Sequence, residues 1–254
     1  MSLKRTESLS PESQQDGAAA ALKLYDADDV NPSFSRFYPQ SEQLRLTAKG
    51  LEPLFNWLEA PGSVAVADLG ARARHALLEF DGSTGFFETA TKYNTAVIVC
   101  VALTPSNDSI GLLKKLFERL GSRVTWLIAR SSFAHGTWEV WENTATHKAL
   151  MEASAREILA PTLDAEAWAA IDKHSLTAIA AADDRRLPLA LRSHVFRWRQ
   201  KYAAEFAREV APLIKTDGKT LFVVTGDKGG VGKSSLARAL TDWFLTATPS
   251  PAVA

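Results

Sequence analysis

The chain has 254 residues, 46% of them apolar, enough for one large α/β domain or two small ones around a sizeable core. Its 29 basic and 29 acidic residues cancel, so no global field favours nucleic acid or an anionic membrane, and contact with either needs a local patch. The single cysteine, Cys100, lies in an apolar run, which excludes a disulfide framework and a cysteine-rich metal site. No apolar run reaches the ~18 residues of a membrane span, and the N-terminus lacks the apolar stretch of a signal peptide, so a cytoplasmic protein is expected.

Residues 1–19 are polar and aperiodic and read as a disordered arm or an expression leader. Ala21 to Tyr25 predicts a short strand running into Asp26-Ala-Asp28-Asp29-Val-Asn31-Pro32. Acids at the carboxyl end of a strand stand where open α/β sheets place ligand chemistry, and two residues apart they point the same way; an Asx turn with solvated acids is the alternative. Phe34 to Tyr38 reads as an aromatic loop, and residues 42–59 as helical with a break at Gly50. Ser63 to Asp68 is an apolar strand delivering Asp68 to its carboxyl end, with Gly70 close behind; that acid either serves a ligand or caps the next helix.

Residues 71–92 read as helical, and Ala96 to Leu103 as a strand buried on both faces. A helix over 110–120 and a strand over 123–129, ending at Arg130, follow. Trp138 and Trp141 either pack on the sheet or form a partner surface. Residues 147–159 read as a helix that Pro161 ends, 165–171 as a short helix, 175–179 as a short strand and 183–186 as a charged turn. Over 188–214 a long helix is predicted, because Leu191, Val195, Trp198, Tyr202, Phe206 and Val210 recur at three and four residues. Its other faces carry Arg192, Arg197, Arg199, Lys201 and Arg208, diluted by Glu205 and Glu209; a solvated face is the favoured reading. None of the five histidines has metal-ligand spacing to another histidine or to the cysteine.

After a polar turn at 215–219, the apolar run Leu221 to Thr225 enters Gly226-Asp-Lys-Gly-Gly-Val-Gly-Lys-Ser-Ser235, which opens a helix over 234–244. Strand, glycine turn and helix form the context of a phosphate-binding loop. The backbone N–H groups of Gly229, Gly230, Val231 and Gly232 can converge on one anion, and the helix N-terminus adds positive charge. Lys233 is placed for the β- and γ-phosphates and Ser234, next to Ser235, for Mg²⁺. Asp227 stands where the standard pattern has glycine.

The segment Lys228-Gly-Gly-Val-Gly-Lys-Ser234, with a second lysine five residues before Lys233, resembles the deviant Walker A motif of the MinD/ParA ATPases of the SIMIBI class. The resemblance implies ATP and Mg²⁺ as ligands and an ATP-dependent homodimer in which Lys228 reaches the partner's phosphates, as an arginine finger does. It implies that Asp28 positions the attacking water with Asp26 in support. Asp68 is implied to hold the metal, and Gly70 to let its loop approach the γ-phosphate, across a shortened Asp-x-Gly spacing. It places Arg130 where it either stacks on adenine or caps a loop. Non-specific DNA contact through basic residues of 188–208 is implied as well. The tail lacks the basic amphipathic helix of a membrane-targeted MinD, so no membrane binding is expected. Asp28-Asp-Val-Asn-Pro32 and Asp68-Leu-Gly70 are similar to the TraL-type branch, of conjugative transfer and plasmid partition.

In that family the strand–loop–helix unit comes first; here residues 219–246 come last. Moving them to the front restores the family order of motifs. The expectation is one circularly permuted P-loop domain over 20–254, with a mostly parallel sheet flanked by helices. Its strand 220–225 should lie inside the sheet, beside 21–25 and 64–68. A slow ATPase switch is the expected activity, and a nucleotide-binding scaffold with little or no hydrolysis, suggested by Asp227, is the alternative.

Overall fold

The computed structural model describes residues 22–28, 33–70, 73–132, 136–226 and 232–246. Strand β1 (Leu22–Asp26) leads through helix α1 (Ser33–Phe37) to the two-residue β2 (Glu42–Gln43), and α2 (Glu52–Asn56) precedes β3 (Val64–Asp68). Helices α3 (Ala73–Thr84) and α4 (Phe86–Lys92) lead to β4 (Thr95–Leu103), and α5 (Asn107–Leu120) to β5 (Thr125–Ser131). The chain continues through α6 (Glu139–Glu142), α7 (Ala145–Glu152), β6 (Arg156–Ala160), α8 (Ala165–His174), α9 (Ala178–Asp183) and α10 (Leu189–Glu209), and the last pair is β7 (Lys219–Thr225) and α11 (Lys233–Thr246).

The strands form one parallel sheet in the order β2-β1-β3-β7-β4-β5-β6. The fold is therefore α/β with a parallel central sheet and helices on both faces. Strand β7 is the middle of it, and its sequence explains why. Leu221 and Val223 enter one core and Phe222 and Val224 the other, all fully buried, which is the continuous apolar pattern of a strand covered on both faces. It pairs with β3 from Val64↔Thr220 to Asp68↔Val224, and with β4 from Thr95↔Lys219 to Val101↔Thr225. The expected neighbour 64–68 is thus present, whereas β1 lies one strand further out. A strand buried on both faces needs a long buried partner on each edge, and the nine-residue β4 supplies the second.

Helices α2 to α7 cover one face and α1 with α8 to α11 the other. The turn before β7 is fixed against the end of α4. Asn94 Nδ2 donates to Asp217 O at 2.7 Å and Lys219 N donates to Asn94 O at 3.1 Å, while a Cβ on Gly218 would collide with that same carbonyl. Lys219 Nζ donates to the carbonyls of Trp57 and Leu58 at 2.8 Å, and also to that of Ala60, past the end of α2.

Four local expectations are corrected. Residues 34–38 are mostly helix, because the Asp26 carboxylate accepts from Ser35 N at 2.8 Å and caps the turn from outside it. The 42–59 stretch holds a short strand, a 3₁₀ turn and a five-residue helix rather than one broken helix. The helix expected over 147–159 stops at Glu152, where Ser154 takes a left-handed φ of 61°, and the chain resumes as edge strand β6, whose Ile158 alone is buried. The strand expected over 175–179 is instead the start of α9: the Thr177 hydroxyl accepts from Ala180 N at 3.1 Å and caps an alanine-rich run of high helix propensity. Among the described residues no helix is long and apolar enough to cross a membrane.

Candidate functional site

A parallel sheet brings all its carboxyl ends to one side, and the sequence places its acids there. Asp26 and Asp68 end adjacent strands and are register partners. The strand ends are held together beyond the ladder, because Ala27 N donates to Asp68 O at 2.8 Å and Leu69 N to Val224 O at 2.9 Å. Helix α11 begins across from them, so Lys233 and Ser234 meet residues roughly 200 positions earlier in the chain. The contact is direct, since Ser33 Oγ donates to Ser234 Oγ at 3.2 Å.

Each acid has a distinct environment. Asp26 is fully buried and accepts from Asp28 N at 3.0 Å and from Ser35 N at 2.8 Å, one bond on each oxygen. It fixes the turn that carries Asp28. Asp28 is half-buried and faces the cavity beside Ser33 and Ser234. Gly70 packs against it; a Cβ there would stand 3.0 Å from Asp28 Cα and Cγ, so only glycine lets the two loops touch without displacement. Asp68 is 1% exposed, and neither of its oxygens has a partner at hydrogen-bonding geometry among the described residues. Burial pushes its carboxyl up to about 7, with Asp26 and Asp28 adding to the rise. The nearby Ser234 hydroxyl and Lys233 ammonium pull the other way.

Asp28 and Ser33 border a cavity of about 460 Å³, within the usual range for small-molecule sites, whereas Asp26, Asp68 and Gly70 lie outside its lining. At one end are Gly232, Lys233, Ser234 and Ser235, at the start of α11; Gly232 has a φ of 95° and its carbonyl accepts from Leu236 N at 2.9 Å, closing the first helical turn. Lys233 is buried, at 6% exposure. The far wall is Pro161 to Leu163 after β6 with Trp168, Trp198 and Tyr202. Trp198 Nε1 donates to Pro161 O at 2.8 Å, which sets that wall against α10. Lys228, Gly229, Gly230 and Val231 lie outside the described residues.

The donor set fits a small hard cation in one respect, which is an orphaned, buried carboxylate beside a serine hydroxyl. Among the described residues no cluster of three or more histidine, cysteine or acidic side chains forms a self-sufficient metal cage. Asp68 and Ser234 would therefore hold Mg²⁺ together with water and ligand oxygens, as Mg²⁺ is commonly held.

Arg130 is not brought to this cavity. Alternate residues of a strand face opposite sides, and Ala129 and Ser131 take the cavity side. Arg130 projects to the other face, pairs with Glu142 at 2.9 Å and Glu157 at 3.5 Å, and lies 4.6 Å from the Trp138 ring centre. Of the two readings of Arg130, these contacts give no support to base stacking at this cavity. On α10, Arg197 and Lys201 point to solvent while Arg208 is held by Glu205 and Glu209. Ser33 and the aromatic wall escape sequence reasoning. Ser33 follows a proline with no pattern of its own, and Trp198 and Tyr202 sit in the apolar row that also makes a core helix.

Comparison of the chain with family models, with curated proteins and with solved structures gives no match. The site therefore stands on its own residues and geometry.

Proposed function

We propose that the protein is a Mg²⁺-dependent ATP-binding switch of the MinD/ParA type with circularly permuted chain order, which hydrolyses ATP slowly and dimerises when ATP is bound. The observation that carries the reading is that Lys233, Ser234 and Asp28 line one cavity, with Ser33 bonded to Ser234 and with Asp68 near enough to Ser234 and Lys233 for both to act on its carboxyl, by way of a β7 inserted between β3 and β4. Lys233 and the N–H groups of α11 neutralise phosphate oxygens. Ser234 and Asp68 hold Mg²⁺, which when bound screens the phosphate charge. Asp28 orients a water, and Asp26 keeps Asp28 in place. Lys228 acts on the partner's nucleotide. The cellular role that goes with this reading is plasmid partition or conjugative DNA transfer, with DNA contact through Arg197 and Lys201.

ATP binding, turnover and sedimentation with Mg²⁺ test it on the parent, Lys233→Ala, Lys228→Ala and Asp28→Ala. The parent should bind, turn over slowly and dimerise. Lys233→Ala should lose binding, Lys228→Ala should bind as a monomer, and Asp28→Ala should bind and dimerise without turnover. Binding by the parent without turnover or dimer would leave a nucleotide-binding scaffold. No binding by the parent would end the reading.

A further inference from the structure

On the sheet face opposite the cavity, α3 and α5 border a groove. Its inner part, about 230 Å³, has an apolar floor of Val101, Leu112, Leu113 and Leu116 and ends at Thr225 and Gly226. Arg74 and His75 line this part and also the outer part, about 690 Å³, which runs past Leu78, Lys115 and Arg119 to Arg123. Arg74 and His75 thus stand between the two parts and border both.

Basic side chains outnumber acidic ones around it, and the acids have cationic or imidazole neighbours. Asp81 is taken by Arg123 at 2.6 Å, Glu118 by Lys114 at 3.7 Å across a helical turn, and Glu79 stands 3.6 Å from His75. Arg74, Lys115 and Arg119 have no ion pair among the described residues. An apolar floor flanked by three unpaired cations complements a segment with an apolar stripe flanked by carboxylates.

We propose that this groove docks an acidic amphipathic helix of a partner protein. Its apolar side chains enter the floor between α3 and α5, and its carboxylates meet Arg74, Lys115 and Arg119. The twelve-residue α3 offers a track of roughly 18 Å at 1.5 Å per residue, about three turns of a docked helix. Protein is favoured over nucleic acid because a phosphodiester chain has no use for a leucine floor. The occupant would lie against Thr225 and Gly226, at the carboxyl end of β7. The proposal does not depend on which ligand fills the cavity on the other face.

The test uses the full chain without nucleotide and two labelled synthetic helical peptides of identical leucine spacing, one with glutamates beside the stripe and one with lysines. Fluorescence anisotropy should show the acidic peptide binding, with affinity falling as salt rises. The K115E/R119E double variant should weaken that binding by about tenfold or more with its melting temperature unchanged. Any of four results would overturn the proposal: no binding of the acidic peptide, equal binding of the lysine peptide, affinity indifferent to the double variant, or tighter binding of a DNA duplex that competes for the same residues. Sedimentation showing that the groove is covered by a second copy would also overturn it.

Discussion

Asp26 and Asp68 are neighbours in register, end adjacent strands and are equally hidden from water, yet they are opposite in kind. Each oxygen of Asp26 accepts a backbone N–H, so its charge is matched by fixed dipoles of the fold. Both oxygens of Asp68 lack such a match, and burial raises its carboxyl to about 7. A buried, unmatched carboxylate destabilises the empty protein. The difference teaches which acid belongs to the scaffold and which to a ligand. Asp26 is held by the turn it builds, whereas Asp68 has no such partner among the described residues and is the acid the proposed function gives to a cation.

The largest effect should come from breaking the matched side. Asp26→Ala removes the acceptor of two buried N–H groups and should cost about 3 kcal/mol in urea unfolding, since hydrogen bonds to a charged group contribute about 1.5–3 kcal/mol each. It should also loosen Asp28 and α1. A cost below roughly 1 kcal/mol would mean that water replaces the carboxylate and that the contrast is unreal.

Asp68→Asn should act with the opposite sign. In the parent, Asp68 has a folded pKa near 7, well above its unfolded value of 3.8, so between those values the folded state holds the extra proton. Its contribution to stability is full below pH 4, falls as pH rises through 7, and is flat above. The asparagine variant lacks that decline. Without metal or nucleotide it should match the parent at pH 4 and exceed it at pH 8, while losing Mg²⁺-dependent nucleotide binding. Parallel pH–stability curves for the two proteins would show that Asp68 is matched after all.

Gly70→Ala sharpens the comparison by pressing on the contact between the two acids' loops. The added methyl lies 3.0 Å from Asp28 and must push it, at a cost of about 1 kcal/mol, smaller than that of Asp26→Ala because the hydrogen bonds of Asp26 survive. Turnover should suffer more than nucleotide affinity. Equal loss of both would place Gly70 in binding rather than in positioning.

Much of this contrast could be read from the chain, and part of it could not. The strand ends were legible because an apolar run that stops at an acid is a local signal, as in Val64 to Asp68. A place for β7 inside the sheet beside β3 was expected from the permuted order of motifs, whereas its second neighbour is β4 and not β1. What the residues around Asp26 and Asp68 do with their backbones was not legible: nothing in Asp26-Ala-Asp28 says that Ser35 N will come back to the first acid, or that Asp68 will accept no hydrogen bond at good geometry among the described residues. Those facts depend on where the following loop travels. The same limit hid β6. Its break from α7 rests on a left-handed Ser154, with neither glycine nor proline to announce it, and an edge strand with one buried residue has almost no alternation to detect. The side on which Arg130 emerges was left open by the sequence and is set by the parity of its position on β5.

The smallest effect separates a tether from a ligand within one hydrogen bond. Ser33 Oγ donates to Ser234 Oγ at 3.2 Å, in a partly buried setting, so either alanine substitution should cost the empty protein only about 0.5–1 kcal/mol. Their consequences for ligand should diverge. A hydroxyl oxygen has two lone pairs, so Ser234 can accept from Ser33 and still face a cation. Ser33→Ala should leave the Mg²⁺ requirement for nucleotide binding in place, because the oxygen that meets the metal remains. Ser234→Ala should abolish that requirement together with most of the affinity, because Asp68 would then be the only protein donor left among the described residues. Isothermal titration with and without Mg²⁺ on both variants distinguishes them. If the two behave alike, Ser234 is as structural as Ser33, and the unmatched charge of Asp68 needs another partner.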